Sequence, residues 1–330
     1  MTAAITRARR LSGFTPSGHL QLGNLIGAIR PMVDGASDAE SVVLLTDLHA
    51  LTTEHDPAEL RANTLEQATV LLAAGVDPRR SLFYRQSHVP EHTELHYLLE
   101  CATAYGEARR MIQFKEKAAR QAQVRLSLLT YPVLMAADIL LHDVHEVPVG
   151  EDQSQHVELT RDVAIRFNAR YGTTFAVPRA VNPPVAARIM DLADPASKMS
   201  KSAARTVGTI FLLDPPSVVR RKVARAVTDV ETEVRYDPAT KPGVSNLLEI
   251  LAATIGDDPA TLAGGFTAYG ELKTAVVDAV VAVLTPIQER YAELAREPDH
   301  VHRALADGAE RARETASATV GRAKRAIGLR

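Results

Sequence analysis

Three short apolar runs, each closed by a polar or Gly/Pro turn and followed by helical periodicity, set the architecture of the first half of this chain. Arg10–Thr15 reads as a first strand, closed by Pro16, Ser17 and Gly18, with a helix over Leu22–Val33. Ser41–Asp47 is apolar until its last polar residues, as strands of a buried parallel sheet are. Pro57–Ala74 reads as a helix: Pro57 suits a first turn, and Leu60, Leu65, Ala68 and Leu71 fall near one face. Gly75–Pro78 ends it, and Ser81–Arg85 is the next strand. This alternation predicts an α/β fold, a Rossmann-like doubly wound parallel sheet, with ligands bound at the carboxyl ends of its strands.

His92–Ala104 and Arg109–Gln123 read as helices, an insertion over about residues 88–127 between the halves of the sheet. A helix over Tyr131–His142, a strand over Val144–Val149 and a long helix over Asp152–Tyr171 follow, then a loop at Val181–Val185. Beyond Ser202 strand signal fades. Asp214–Pro216 opens a helix to about Val227, and Asn246–Ile255, Gly270–Leu284 and the segments to the C-terminus also read as helical. The expected division is a catalytic domain over 1–205 and an all-helical C-terminal domain over 206–330.

Hydrophobic residues make up 46% and charged residues 24% of the 330, ordinary for a globular protein with a real core. The single cysteine, Cys101, forms no internal disulfide and is expected on a buried helix face. The first ten residues carry Arg7, Arg9 and Arg10 with no apolar run behind them, unlike a signal peptide. No stretch approaches the roughly 18 apolar residues that span a bilayer. No membrane association and a cytoplasmic location are therefore expected. A net charge of −2 excludes a polycationic nucleic-acid binder. Basic side chains nevertheless gather over 301–330, seven against three acidic, and over 109–125, six against one. They are either solvated helix faces or a grip on an RNA backbone.

Two stretches suit phosphate. In Gly13–Asn24, Pro16, Ser17 and Gly18 turn the chain off a strand and leave free amides at a helix start, a ready anion site, while Gly23 permits close approach and Asn24 adds an amide. A turn chosen only for its fit is the plainer alternative. Lys198–Ser202 joins two lysines to two hydroxyls, a loop whose movable point charges can follow a leaving pyrophosphate. An early and a late phosphate element together suggest opening of ATP between its α and β phosphates.

Val147–His156 runs from a strand through Gly150 into a helix, where Asp152 and Gln153 offer partners to ribose hydroxyls or Asp152 merely caps the helix. Asp138 interrupts the apolar helix at Tyr131–Leu141 and needs a partner there, either a protein amide or a ligand N–H. His92 and His96, four apart, lack both the adjacent glutamate and the third ligand of a zinc site; His142 and His145 are no better. No metal-binding side chains are expected. Magnesium carried on nucleotide phosphates needs few protein ligands.

With these residues, the chain resembles the bacterial-type tryptophanyl-tRNA synthetases, class I aminoacyl-tRNA synthetases, over nearly its whole length. Gly13–Asn24 is similar to their Pro-Ser-Gly turn and Gly-Asn element, and Met111–Lys117 to their insertion helix. Leu129–Leu140 resembles their tryptophan-binding helix. Val147–Arg161 is the most specific stretch, and Lys198–Ser202 resembles the class I mobile loop. The related tyrosyl enzymes usually differ in the Gly150–Gln153 region.

The resemblance implies a homodimer that makes tryptophanyl-adenylate from ATP and L-tryptophan, with Mg²⁺ bound through the ATP phosphates, and then charges tRNA(Trp). It places ATP against Thr15, Pro16, Ser17, Gly23, Asn24, Gly150, Glu151, Asp152, Gln153, Ile189, Lys198, Met199, Ser200, Lys201 and Ser202. Tryptophan falls against Asp138, Tyr131, Met135, His49, Gln113 and Val147, with Asp138 accepting the indole N–H. Lys117, Lys198, Lys201 and Gln21 are the implied catalytic residues, and 206–330 the anticodon-binding domain, its last helices packing back on the catalytic one. One position departs from the family: Gln21 stands where histidine is frequent, and His19, two residues away, does not fill that register. Gln21 can donate an N–H to phosphate but carries no charge. That departure is the one feature favouring a non-catalytic paralogue that only binds tryptophan or ATP; a tyrosine-specific enzyme is the other alternative.

Overall fold

β2 (Glu40–Leu45) is buried on both faces from Ser41 onward, which is why its sequence is a continuous apolar run without alternation. A computed structural model describes residues 8–35, 39–119, 121, 123–181, 189–199 and 207–329, with 151 and 152 by their backbone alone. In it β2 lies between β1 (Arg9–Phe14) and β3 (Ser81–Arg85), and β4 (Glu146–Pro148) pairs the other side of β1, followed by β5 (Arg179–Val181). All pairings are parallel, in the order β3-β2-β1-β4-β5. The order reverses between β1 and β4, the switch point of a doubly wound sheet, which opens a crevice at the carboxyl ends of those two strands. β5 carries only three residues and gave no signal in the sequence.

Helices follow in chain order. After β1 come α1 (Leu22–Asn24), a π-turn at Leu25–Ile29 and α2 (Arg30–Asp34), one near-continuous rod. α3 (Asp47–Ala50), α4 (Pro57–Ala73), α5 (Glu91–Glu100), α6 (Tyr105–Arg110), α7 (Ile112–Ala118), α8 (Leu126–Leu141) and α9 (Glu151–Tyr171) complete the first half. α10 (Pro216–Ala224), α11 (Pro242–Ile255), α12 (Pro259–Ala263), α13 (Tyr269–Leu294) and α14 (Pro298–Ala326) form the second. The helix expected over Arg109–Gln123 is instead two, because Met111 adopts ψ 128° between them and buries its side chain in the core. The helix expected from Tyr131 begins at Leu126 and runs through Pro132, and α13 continues through Pro286 ten residues past the expected end. The strand expected over Val144–Val149 shortens to three residues. Cys101 is exposed just past the last turn of α5, not buried on a helix face.

Side chains alternate across the strands and feed two cores. Phe14, Val43, Leu45 and Phe83 pack with α4, α10, α11 and α13; Leu11, Val42, Leu44 and Tyr84 pack with α5, α8 and α9. α14 belongs to both. Val301 and Leu305 lie in the first core, and Ala309, Ala312, Ala316, Val320 and Ala323 in the second. The helix crosses the sheet edge at β3, where Gly308 is required: a Cβ there would lie 1.9 Å from the Phe83 carbonyl oxygen. Several basic side chains of 301–330 anchor this crossing. Arg311 donates to the Pro78 carbonyl at 2.6 Å, Arg313 to that of His88 at 2.6 Å and Arg322 to Asp143 at 2.7 Å, while Lys324 pairs with Glu94. These groups are neither simple solvated faces nor free for RNA. Among the described residues no helix is long and apolar enough to cross a membrane.

Candidate active site

A cleft of about 640 Å³ opens at the switch point, lined by Ser12 and Gly13 of β1, Thr15 just past it, and Val147, Pro148 and Val149 at β4. Its first wall is the Pro16–Gly18 turn, where Gly18 takes φ +136°. The turn is held from behind by Gln67 of α4, whose Nε2 donates to the carbonyls of Thr15 at 3.2 Å and Gly18 at 2.5 Å. Thr15 Oγ1 meets Thr46 Oγ1 at 2.8 Å. A Cβ at Gly23 would sit 2.9 Å from Gln21 Oε1, so a side chain there would displace the Gln21 amide.

Gln21 is buried, and its Nε2 donates to the Met199 carbonyl at 3.0 Å while its Oε1 accepts from the Gly23 amide. One of its two Nε2 hydrogens is thus used on Met199, and the side chain ties the turn after β1 to the Lys198–Met199 segment. The second element enters as a hairpin, in which Met190 bridges Lys198 and the Met199 amide donates to the Ile189 carbonyl at 3.0 Å. Asn246 of α11 clamps its base, accepting from Met190 N at 2.9 Å and donating to Met190 O at 3.0 Å. Ile189 and Met199 are buried, and Lys198 lines the cleft. Ser200, Lys201 and Ser202 lie outside the described residues, as do the side chains of Glu151 and Asp152. Gly150 caps the start of α9 and lines the cleft with Gln153.

The opposite end is apolar around one acid. Asp138 is 2% exposed, yet three donors meet its carboxylate: His49 Nε2 on Oδ2 at 2.8 Å, with Gln86 Nε2 and His92 Nδ1 on Oδ1, both at 2.6 Å. Burial alone would raise its pKa, but the bonds from His49 and His92 hold it well below the usual carboxylate range. The sequence left open whether a protein amide or a ligand N–H meets this acid. The protein supplies an amide, Gln86, and of roughly four acceptor positions on a carboxylate three are then used. His49 and Tyr131 rings meet edge-on with centroids 6.2 Å apart, and Lys117 Nζ stands 5.2 Å from the Tyr131 ring centroid. The Tyr131 hydroxyl bonds His156 Nε2 at 2.9 Å, and burial pushes its pKa up to about 12. Met135 and Val147 complete this end.

Of the expected residues, Thr15, Ser17, Gln21, Gly23, Asn24, His49, Lys117, Tyr131, Met135, Asp138, Val147, Gly150, Gln153, Ile189, Lys198 and Met199 line one cleft. Pro16 and Gln113 do not. Gln67, Gln86 and the bonds that His49 and His92 make to Asp138 have no local signal in the sequence. The four-residue spacing of His92 and His96 does not bring them together on one partner: His92 points to Asp138 while His96 faces Glu100 at 3.1 Å. The usable signal was the buried acid itself, which demanded donors from other elements. Among the described residues, no group of three or more His, Cys, Asp or Glu side chains suits a metal.

A parallel doubly wound sheet with phosphate elements from both halves meeting at its switch point defines a nucleotide-dependent α/β enzyme of the class I synthetase kind. Residues 5–285 match the family model of class I tRNA synthetases for tryptophan and tyrosine, and the chain belongs to that family. It is 56% identical over 326 residues to tryptophan–tRNA ligase 1 of Streptomyces avermitilis, covering 97% of this chain and 98% of that one. The fold superposes on a tryptophanyl-tRNA synthetase from Mycoplasma pneumoniae with a TM-score of 0.93, at 36% identity over 98% of each chain. A Campylobacter jejuni tryptophanyl-tRNA synthetase complexed with ADP and tryptophan aligns with a TM-score of 0.81, at 34% identity over 97% of this chain and 99% of that one.

Proposed function

We propose that this cleft activates L-tryptophan, with ATP along the wall formed by the two phosphate elements and the indole against Asp138. The chain is an ATP-dependent tryptophan–tRNA ligase of class I: it forms tryptophanyl-adenylate and pyrophosphate, then transfers tryptophan to tRNA(Trp). The observation that carries the assignment of ends is the buried, ionised Asp138, which keeps one acceptor position in an apolar slot that lies in the same cleft as Gly23, Asn24 and Lys198.

In the first step a tryptophan carboxylate oxygen attacks the α-phosphorus, the new O–P bond forms as the α–β bridge breaks, and pyrophosphate carries away the electron pair. Amides at Gly23 and Asn24, with Lys198 and Lys201, stabilise charge as it moves onto the pyrophosphate. Thr15, Ser17, Gly150, Gln153, Ile189 and Met199 position the nucleotide, together with Pro16, Glu151, Asp152, Ser200 and Ser202. Lys117, poised over Tyr131, reaches toward the carboxylate or a phosphate. Met135, His49 and Val147 enclose the indole, and Gln113 approaches only if α7 moves. Mg²⁺ would be carried on the ATP phosphates, a mode that needs few dedicated protein ligands. In the second step a terminal ribose hydroxyl of the tRNA attacks the activated carbonyl and releases AMP.

The region 206–330 serves as the anticodon-binding domain beside a catalytic domain of 1–205. The protein works as a cytoplasmic homodimer. Exposed Tyr97, Tyr105, Ile112 and Leu126, on the neighbouring elements α5 to α8, support an interface there. Tryptophan-dependent exchange of pyrophosphate into ATP under magnesium tests the activity. Its absence removes the assignment, and calorimetric binding of tryptophan with no adenylate formed would point to a non-catalytic paralogue.

A further inference from the structure

A line of buried polar groups runs from Asp138 away from the cleft and reaches the C-terminal helix. His92 Nδ1 meets Asp138 Oδ1 at 2.6 Å, and its Nε2 meets the Tyr84 hydroxyl at 2.8 Å. That hydroxyl also meets His142 Nε2 at 2.5 Å, and His142 Nδ1 meets Thr315 Oγ1 of α14 at 3.0 Å. Tyr84, His92 and His142 are all 0% exposed, so water cannot substitute for a missing partner. The line joins β3, α5, the end of α8 and α14 through their buried interior, while Lys324–Glu94 and Ser317–Glu91 pair α14 with α5 at the surface.

The protons on this line can be counted. Burial pushes the Tyr84 pKa well above its ordinary value, so the phenol keeps its single proton. Burial, aided by His92 and Arg9, lowers that of His142 to about 3, so its ring is neutral with a single N–H. Thr315 Oγ1 also has the Ala312 carbonyl within reach, at 3.1 Å. At the other end of the line the Asp138 carboxylate supplies no proton, so His92 Nδ1 must carry one to fill that link. A bare Nδ1 would leave a buried acceptor facing an acceptor, which costs the desolvation of both.

We propose that Tyr84, His92, His142 and Thr315 are positioning residues for tryptophan recognition, a hydrogen-bond relay that holds the His92 ring with its Nδ1–H on Asp138 and so orients that acid toward the indole. This rests on Asp138 being the indole acceptor. Through the relay, docking of α14 against the sheet edge becomes a condition for a correctly aimed acid. Tyr84→Phe removes one hydroxyl from the middle and frees the His92 ring to turn, while Thr315→Val removes only the distant end, isosterically and on the other half of the chain.

The test is pyrophosphate exchange on Tyr84→Phe, Thr315→Val and Asp138→Asn, with KM for tryptophan and for ATP measured separately, beside nitrogen NMR of the imidazoles in the unmodified protein. Tyr84→Phe should raise KM for tryptophan about tenfold and leave that for ATP within about twofold, with Thr315→Val smaller in the same sense. The NMR should show His92 protonated on Nδ1 and His142 with a single ring proton. Unchanged tryptophan KM in Tyr84→Phe, equal changes for both substrates, or a His92 Nδ1 without its proton would overturn the relay. Should Tyr84→Phe fail to fold, Thr315→Val and the His92 ring protons decide. If Asp138→Asn itself leaves tryptophan KM unchanged, it is the placing of the indole that fails; if only Asp138→Asn acts, the relay alone fails.

Discussion

Gln21 donates its side-chain amide to the main-chain carbonyl of Met199, 178 residues further along, at 3.0 Å. This bond joins the turn after β1 to the start of the Lys198–Ser202 loop, so the two phosphate elements are coupled by a neutral residue where the family often has histidine. Gln21→Leu would leave that carbonyl buried without its donor, at a cost of about 1–3 kcal/mol. Single-turnover adenylate formation should slow about tenfold or more while KM for tryptophan holds. An unchanged rate would show that the tether is ornamental.

The loop lysines are expected to act on the departing pyrophosphate more than on bound ATP. Lys201→Ala should lower kcat by about 10²–10³-fold, the loss seen when one preorganised donor at a developing anion is removed. Lys198→Ala, at the described edge of the loop, should act in the same direction. Rapid-quench measurement of adenylate formation separates the alternatives: a rise confined to KM for ATP reassigns the loop to uniform binding.

Gly308 should tolerate nothing larger. Its Cβ would stand 1.9 Å from a backbone oxygen of the edge strand, so Gly308→Ala must displace α14 or β3. A loss of about 1–3 kcal/mol in chemical unfolding is expected. Gly321→Ala on the same helix is the control: the nearest atom to its Cβ is the flexible Arg325 Nη1 at 3.5 Å. That change should be neutral or slightly stabilising, and equal effects at the two positions would contradict the tight crossing.

Acid should destabilise the fold through His142 before it touches the carboxylates. Its pKa falls from 6.5 to about 3 on folding, chiefly by burial. Between those values the unfolded chain binds a proton that the folded chain refuses, so stability rises with pH across this window and is lost as pH falls. Asp138, also depressed, adds a loss of the same sign below its ordinary value of 3.8. Urea unfolding should therefore weaken from near pH 6.5, with a slope from His142 of up to about 1.4 kcal/mol per pH unit. A His142→Asn variant should show a shallower slope, and a wild-type profile that is flat between about pH 7 and about pH 5 would contradict the buried neutral ring.

The sheet was legible because β1, β2 and β3 are apolar runs bounded by turns, and the phosphate elements because Gly, Pro and Lys are scarce residues in special positions. β5, three residues long, and the break at Met111 were not, since both depend on contacts made by distant chain. At the site, Asp138 stood out as an acid in an apolar helix, but its donors come from α3, α5 and the turn after β3, and no local pattern announces them. The C-terminal basic cluster could not be interpreted from charge alone: Arg311 and Arg313 bind carbonyls of the catalytic half, a choice set by how α14 crosses the sheet.

The central claim is that a buried, ionised Asp138 selects tryptophan, and the most direct measurement is the ratio of kcat/KM for tryptophan over tyrosine in pyrophosphate exchange, in the wild type and in Asp138→Asn. A site built around an acceptor for the indole N–H should favour tryptophan by about 10⁴-fold or more, because tyrosine leaves that acceptor unpaired. In Asp138→Asn the ratio should collapse by about tenfold or more while KM for ATP stays near its wild-type value. A wild-type ratio near unity, or an undiminished ratio in the variant, would contradict it.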